Sequence, residues 1–346
     1  MKRVGIVGLG FMGMVHYLSY AKIRDAQVVA LCDSNRDRLA GDWTGIQGNF
    51  GPPGQQMDLT GINVYESAEQ LISDPQVDLV DITLPPALHA DVAIKALKAG
   101  RDVFCEKPMA MSVEDCDRMA AAAKSHDRQL LIGHVLPFFP EYAWALQEIH
   151  SGKHGQLLGG SFKRVISDPA WLTHFWDAKA VGGPMLDLHV HDAHLIRLLF
   201  GEPQTVTTRG TTKNNLAKRW HSLFEFEGGR VVHAVGGVID QQSRPFLQGF
   251  EIQLERATLA FEFSVTRNAA GEDVAAYNCP PTLFDDSGRA HHVDLGDGDP
   301  MNAFQAELQH AVKTMSGEAE AGPLACDLAR DAIQICHAET DNLRAS

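Results

Sequence analysis

The sequence predicts two domains of different class. The first is α/β, a doubly wound parallel sheet. The second is an α+β C-terminal domain with a large, mostly antiparallel open-faced sheet. Three observations carry this. Up to about residue 135, short apolar strands alternate with amphipathic helices, the pattern of a parallel sheet covered on both faces. Beyond it, β-type runs follow one another without intervening helices, as in an antiparallel sheet with one free face. The length of 346 residues also exceeds what one ordinary core supports. The expected domains are 1–135 and 136–346, with a last helix over 327–343 long enough to pack back on the first.

The elements follow in order. Val4-Gly5-Ile6-Val7 is a short apolar strand that runs directly into Gly8-Leu9-Gly10-Phe11-Met12-Gly13. An apolar helix occupies about 11–22, and a β-rich run over 28–32 ends in Asp33-Ser34. Each part has a physical task. Gly8 permits a tight turn, Gly10 lets a pyrophosphate approach the backbone, and Gly13 lets helix and strand pack closely. The helix N-terminus offers free N–H groups and a positive dipole end. Asp33, twenty residues past Gly13, is placed to accept hydrogen bonds from ribose hydroxyls. The expectation is therefore a dinucleotide-binding Rossmann domain. A carboxylate at 33 repels a 2′-phosphate, so the expected cofactor is NAD in preference to NADP, with Arg36 and Arg38 near enough to accept a phosphate if Asp33 swings away.

A short helix is expected over 36–42, and the turn-forming, aperiodic stretch 43–60 reads as a surface loop. Ser67 caps a helix to residue 73, and 77–83 is a strand ending in Leu84-Pro85-Pro86. A helix over 88–99 stops at Gly100, a strand follows at 102–105, Ser112 caps a helix to about 124, and 129–133 completes the alternation. The second domain begins with a helix over 141–150 and a strand over 157–165, then a glycine turn and helix over 182–200. Strands are expected over 205–208, 222–226, 231–235, 250–254 and 258–263, with helices over 303–314 and 327–343 and a solvated loop at His291-His292.

Composition narrows the function classes. Hydrophobic residues make up 45% and charged residues 21%, an ordinary globular balance. A net charge of −14 argues against nucleic-acid or anionic-membrane partners, which need a basic face. No run approaches the roughly 18 apolar residues of a membrane span. Met1-Lys2-Arg3 leads straight into the first strand and leaves no room for a signal peptide. Six cysteines without CxxC spacing fit reduced thiols and a cytoplasmic location.

In a parallel sheet, reactive residues belong on the loops at the C-terminal edge. Thr83-Leu84-Pro85-Pro86 ends one strand there, with His89 opening the next helix. Glu106-Lys107-Pro108 ends the following strand and brings an ammonium to the mouth of the crevice. In the second domain, Gly182-Gly183 precedes a helix on which Asp187 and His191 lie one turn apart and His189 points roughly opposite. A carboxylate beside an imidazole fixes its tautomer and makes a proton acceptor suited to neutral pH. The run His189-x-His191-Asp192-x-His194 is not expected to bind metal, because one helix leaves His189 on the wrong face for a shared ion. His134, Trp176 and His194 are further substrate candidates, and Trp171 and Trp176 are equally suited to core packing.

These motifs together resemble the glucose–fructose oxidoreductase / inositol dehydrogenase / rhizopine-catabolism (Gfo/Idh/MocA) family over nearly the whole chain. The resemblance rests on Gly8-x-Gly10-x-x-Gly13, Pro85-Pro86-x-x-His89, Glu106-Lys107-Pro108 and Gly182-Gly183…Asp187-x-x-x-His191-Asp192. It implies an NAD(P)-dependent dehydrogenase acting on CH–OH groups of a sugar, cyclitol or related polar molecule, or the reverse reduction. It implies that Lys107 hydrogen-bonds the substrate hydroxyl, His191 takes its proton and Asp187 orients His191. Gly8 to Gly13, Asp33, Ser34, Thr83 to Pro86, His89, Glu106 and Lys107 would hold the cofactor. The open-faced sheet implies a homodimer or homotetramer. Alternatives are a reductase or trans-dihydrodiol-type dehydrogenase of the same fold, or a catalytically silent nucleotide-binding regulatory protein. The chain departs from the family at Pro184, where a third glycine is frequent, and at Asp177, where arginine is frequent. It departs also at His189, where glycine or alanine is common, and at His194, where aspartate is common. The 43–60 loop is longer than the family pattern.

Overall fold

The computed structural model describes residues 1–346 except 170, 171, 173, 174, 297, 345 and 346. Trp171 therefore lies outside the described residues. The chain forms two compact units, Met1–Phe139 with Gly298–Arg330, and Pro140–Asp297 with Asp331–Ser346.

In the first unit the chain runs β1 (Lys2–Val7), α1 (Phe11–Tyr20), β2 (Ala26–Cys32), α2 (Arg36–Leu39), β3 (Asn63–Tyr65), α3 (Ala68–Ser73) and β4 (Leu79–Ile82). It continues α4 (His89–Lys98), β5 (Asp102–Glu106), α5 (Val113–Ser125) and β6 (Leu130–Gly133). The six strands are ordered β3-β2-β1-β4-β5-β6 and pair in parallel throughout. Strand order reverses between β1 and β4, so a crevice opens there beyond their C-terminal ends. Every residue of β4, β5 and β6 is buried, as a sheet covered on both faces requires. Ser67 caps α3 as expected and forms a capping box with Gln70, and the Ser112 hydroxyl accepts from the Asp115 N–H at the start of α5.

The 43–60 stretch lacks regular structure but is not a simple surface loop. Trp43 is fully buried, meets Tyr17 edge-on at 5.0 Å and donates its indole N–H to the Arg38 carbonyl at 2.9 Å. Phe50 stacks on Phe304 at 5.2 Å and meets Phe11 edge-on at 4.8 Å. Two aromatic anchors thus pin a segment whose composition reads as turn. Strand β3 escapes the sequence pattern because only three residues pair.

The second unit begins with α6 (Pro140–His150) and β7 (Leu157–Ser167), then a π-helical turn, Met185–His189, that leads into α7 (Val190–Phe200). Seven strands follow: β8 (Thr205–Lys213), β9 (Leu216–Glu225), β10 (Val231–Ile239), β11 (Phe246–Leu254), β12 (Ala257–Arg267), β13 (Asp273–Asp285) and β14 (Ala290–His292). The sheet order is β14-β13-β12-β11-β7-β10-β9-β8, antiparallel except for β7 with β10. Strand β9 alternates buried and exposed residues, which gives the sheet one packed and one open face. His291 and His292 belong to the short edge strand β14 and not to a loop, paired against Leu283 and Thr282.

Two helices close the chain, α8 (Pro300–Met315) and α9 (Cys326–Arg344). It is α8 that returns to the first unit, where Leu308, Ala311 and Val312 join a core with Val4, Ile6, Leu31 and Trp43. The first residues of α9 also belong there, but from Asp331 onward α9 belongs to the second unit. The Rossmann and open-faced-sheet architectures are those the sequence predicts.

Candidate functional site

The glycine-rich turn is shaped by three glycines with different reasons. Gly8 has φ of +103°, a backbone conformation that L side chains rarely adopt. A Cβ on Gly13 would lie 2.0 Å from the Gly8 carbonyl oxygen, so α1 begins in direct backbone contact with the end of β1. A Cβ on Gly10 would meet nothing within 4 Å, and Gly10 is the N-cap of α1, with no side chain capping the helix. The first turn of α1 thus presents N–H groups that its own hydrogen-bond ladder does not use. A bare helix end beside open space fits a dinucleotide pyrophosphate.

Neighbouring residues hold this turn in place. The Leu9 N–H donates to Asp33 Oδ2 at 2.6 Å and the Asn35 N–H to Asp33 Oδ1 at 2.8 Å, so the carboxylate braces β2 against the turn. Arg38 Nη1 stands 3.6 Å from the same carboxylate. Ser34 is exposed beside it. The Thr83 hydroxyl donates to the Gly8 carbonyl at 2.6 Å and ties the end of β4 to β1. His89 is fully buried, with Nε2 2.8 Å from the Leu84 carbonyl and Nδ1 2.9 Å from the Pro108 carbonyl. Burial lowers its pKa. Its observed contacts link the two strand-end loops to each other.

Lys107 leaves the end of β5 partly exposed between buried Glu106 and Pro108, and the Lys107–Pro108 bond is cis. Glu106 accepts the Lys107 N–H through Oε2 at 3.0 Å and stands 3.1 Å from His16 Nε2 through Oε1. His16 Nδ1 lies 2.8 Å from Asp81 Oδ2. Burial opposes a charge on His16, but the carboxylates of Asp81 and Glu106 outweigh it and push its pKa up to about 10. Sequence reasoning missed His16. Its only signal is a polar residue on the buried face of an otherwise apolar helix. His134, just past β6, is also buried.

In the second unit Gly182 and Gly183 have φ of +74° and +73°, so the turn before the π-helical segment needs glycine. From Gly183 to Ile196 every residue is buried except Asp187 and His191, which keep partial exposure. They are the two positions that the helical spacing puts on one face. His189 is buried and points away from that face, with Nε2 3.0 Å from Glu339 Oε1. Asp192 is held by Arg164 through two bonds of 2.8 and 3.1 Å. His194 is fully buried. Trp176 donates its indole N–H to Asp168 at 2.9 Å, and Lys213 Nζ lies 4.3 Å above its ring. Among the described residues, no group of three or more His, Cys, Asp or Glu side chains is arranged to hold a metal.

The first unit thus has the form of a dinucleotide-binding unit with a lysine at its ligand edge. Two family models match the chain: the GFO_IDH_MocA model, an oxidoreductase family with an NAD-binding Rossmann fold, over residues 2–134, and the GFO/IDH/MocA C-terminal domain over 142–260. The chain belongs to this family. It is 29% identical over 202 residues, 58% of this chain and 55% of the relative, to a myo-inositol 2-dehydrogenase of Thermotoga maritima. It is 31% identical over 214 residues, 61% of this chain and 53% of the relative, to a 2,7-anhydro-N-acetylneuraminate hydratase of Escherichia coli. The matches thus span about half the length of these curated relatives. The UDP-N-acetylglucosamine 3-dehydrogenase of Acidithiobacillus ferrooxidans shares the fold, with a TM-score of 0.76 and 21% identity over 99% of this chain and 98% of that one.

The contrast between two glycines gives a test. Gly13→Ala should cost at least about 1–3 kcal/mol, because backbone must move to admit the methyl. Gly10→Ala should unfold within about 0.5 kcal/mol of the parent yet bind NAD more weakly. Thermal unfolding and a fluorescence titration with NAD read the two effects, and a Gly13→Ala protein that melts like the parent contradicts the close contact.

Proposed function

We propose that the chain is an NAD-dependent dehydrogenase of a polyhydroxylated substrate, a sugar, cyclitol or similar polar molecule. The observation that carries this is the placement of Lys107 on the same sheet edge as the glycine-rich turn, with β5 next to β4 and β4 next to β1. The paired exposure of Asp187 and His191 within an otherwise buried stretch supports it.

The bound nicotinamide would supply the hydride acceptor. An alcohol carbon gives up hydride readily only as its oxygen loses a proton, so a base and a cation are needed at that oxygen. Lys107 hydrogen-bonds the substrate hydroxyl, His191 removes its proton, and Asp187 orients His191. Glu106 holds the Lys107 backbone N–H and so fixes where the lysine departs from β5. His134, Trp176 and His194 remain the further substrate candidates. His134 and His194 are buried, and Trp176 is tied to Asp168.

NAD is the proposed cofactor. Asp33 accepts a backbone N–H at each oxygen, so swinging away to admit a 2′-phosphate would break both bonds. A second copy of the chain is the proposed partner. The open face of the second unit's sheet exposes Leu223 and Val231 on neighbouring strands, beside the stacked rings of His221 and His233.

Four outcomes follow. A panel of inositols, aldoses and sugar lactones should yield NAD-dependent turnover, followed by absorbance of the reduced cofactor. Lys107→Ala should lower kcat by about 10²–10⁴ with NAD affinity nearly intact. Cofactor binding without turnover on any substrate points to a binding protein, and unchanged kcat removes Lys107 from the chemistry. Steady-state kinetics should give a higher kcat/KM with NAD than with NADP, and the reverse order defeats the cofactor assignment. Sedimentation equilibrium should report a dimer or tetramer that Leu223→Asp weakens, whereas a monomeric parent defeats the pairing.

A further inference from the structure

Beneath the partly exposed pair Asp187 and His191 lies a closed set of buried charges. His189 Nε2 lies 3.0 Å from Glu339 of α9, and both residues are at most 1% exposed. His189 Nδ1 stands 4.0 Å from Asp192 Oδ2, and Arg164 of β7 grips Asp192 through Nε and Nη2. The remaining Arg164 donors reach Gln248 at 3.0 Å and the Tyr142 hydroxyl at 3.4 Å. The Trp220 ring closes the set edge-on to His189 at 5.3 Å. With the imidazole protonated, two positive and two negative groups balance. Any one of them removed leaves an unpaired charge in the core.

The geometry points to His189, Glu339, Arg164 and Asp192 as positioning residues that lock the π-helical turn bearing Asp187 and the start of α7 bearing His191. The bonds grip the chain at 189 and 192, on either side of His191, from two elements distant in sequence. The inward grips are three residues apart and the outward pair four apart, so one face is anchored while the other is presented. This rests on the reading of His191 as the proton acceptor and extends it to the groups that aim it.

The groups acting on His189 are Glu339 from α9, Arg164 from β7 and Asp192 from its own helix, while Cys336 of α9 is near Glu339 and Asp192 and Tyr142 of α6 reaches Arg164. Burial acts to lower the His189 pKa, Arg164 acts in the same direction, and the carboxylates of Glu339 and Asp192 outweigh both, so it is raised. The sign follows from linkage. A raised folded pKa gives stabilisation that is full below the unfolded value near 6.5 and is lost as pH rises through the folded value.

The test uses the full chain with histidine labelled for NMR, and the variant Glu339→Gln, which keeps shape and removes charge. In the parent, His189 should titrate above the ordinary histidine value. In Glu339→Gln its titration should move to lower pH, and the titration midpoint of His191 should move with it. A His191 midpoint unchanged while the melting temperature falls shows a merely structural role and overturns the proposal. Should Glu339→Gln not fold, Arg164→Lys, which keeps charge but loses the two-bond grip, is read through the same His191 signal: a shifted midpoint supports the proposal and an unchanged one overturns it. Because the signal needs no turnover, its failure is distinct from failure of the dehydrogenase reading, which Lys107→Ala tests.

Discussion

The contact between the Gly8 carbonyl and Gly13 is the constraint from which the first unit's ligand edge follows. With no side chain at 13, α1 starts against the end of β1, and its uncapped first turn opens at the reversal of strand order. Thr83 then bonds the same Gly8 carbonyl, and Asp33 takes the Leu9 N–H, so the ends of β1, β2 and β4 are stitched at one level. A peptide segment this short leaves little slack. Space at Gly10 exists because Gly8 and Gly13 have used up the freedom on either side of it.

Both units back their proposed reactive residue with buried charge. Behind Lys107, the His16 imidazole sits between Asp81 and Glu106, and Glu307 is fully buried beside them with its pKa raised by burial and by those carboxylates. Behind His191, the same logic joins Arg164, Asp192, His189 and Glu339. Such groups are a poor means of adding stability, since desolvation offsets most of the attraction. What they add is direction. A hydrogen-bonded ion pair is directional, whereas the hydrophobic effect is not.

Much of this was legible in the sequence because it is local or periodic. The glycine turn, the strand-end Glu106-Lys107-Pro108 and the i,i+4 spacing of Asp187 and His191 each lie within a few residues. The alternation in β9 announces a half-open sheet. What escaped depends on partners far along the chain. Trp43 reads as part of a turn-rich loop until Tyr17 and the core that includes α8 enclose it. His16 becomes a bridge only when β4 and β5 bring Asp81 and Glu106 to it. His189 pairs with Glu339 across 150 residues, a separation that no local pattern encodes. Strands β3 and β14 have three residues each, too few for alternation to show.

The π-helical turn explains why the second unit uses charge at this place. A π-turn, with i→i+5 bonding, is rare, appears mostly as a single turn within α-helices and is frequent at functional sites. A regular α-helix over Met185–His189 would set Asp187 at a different angle relative to His191. Apolar residues at 189 and 339 would pack well in either conformation and so would not oppose the change. The His189–Glu339 bond is directional and is made with the π-helical turn in place. The π-helical turn and the buried ion pair are therefore two parts of the one proposed device.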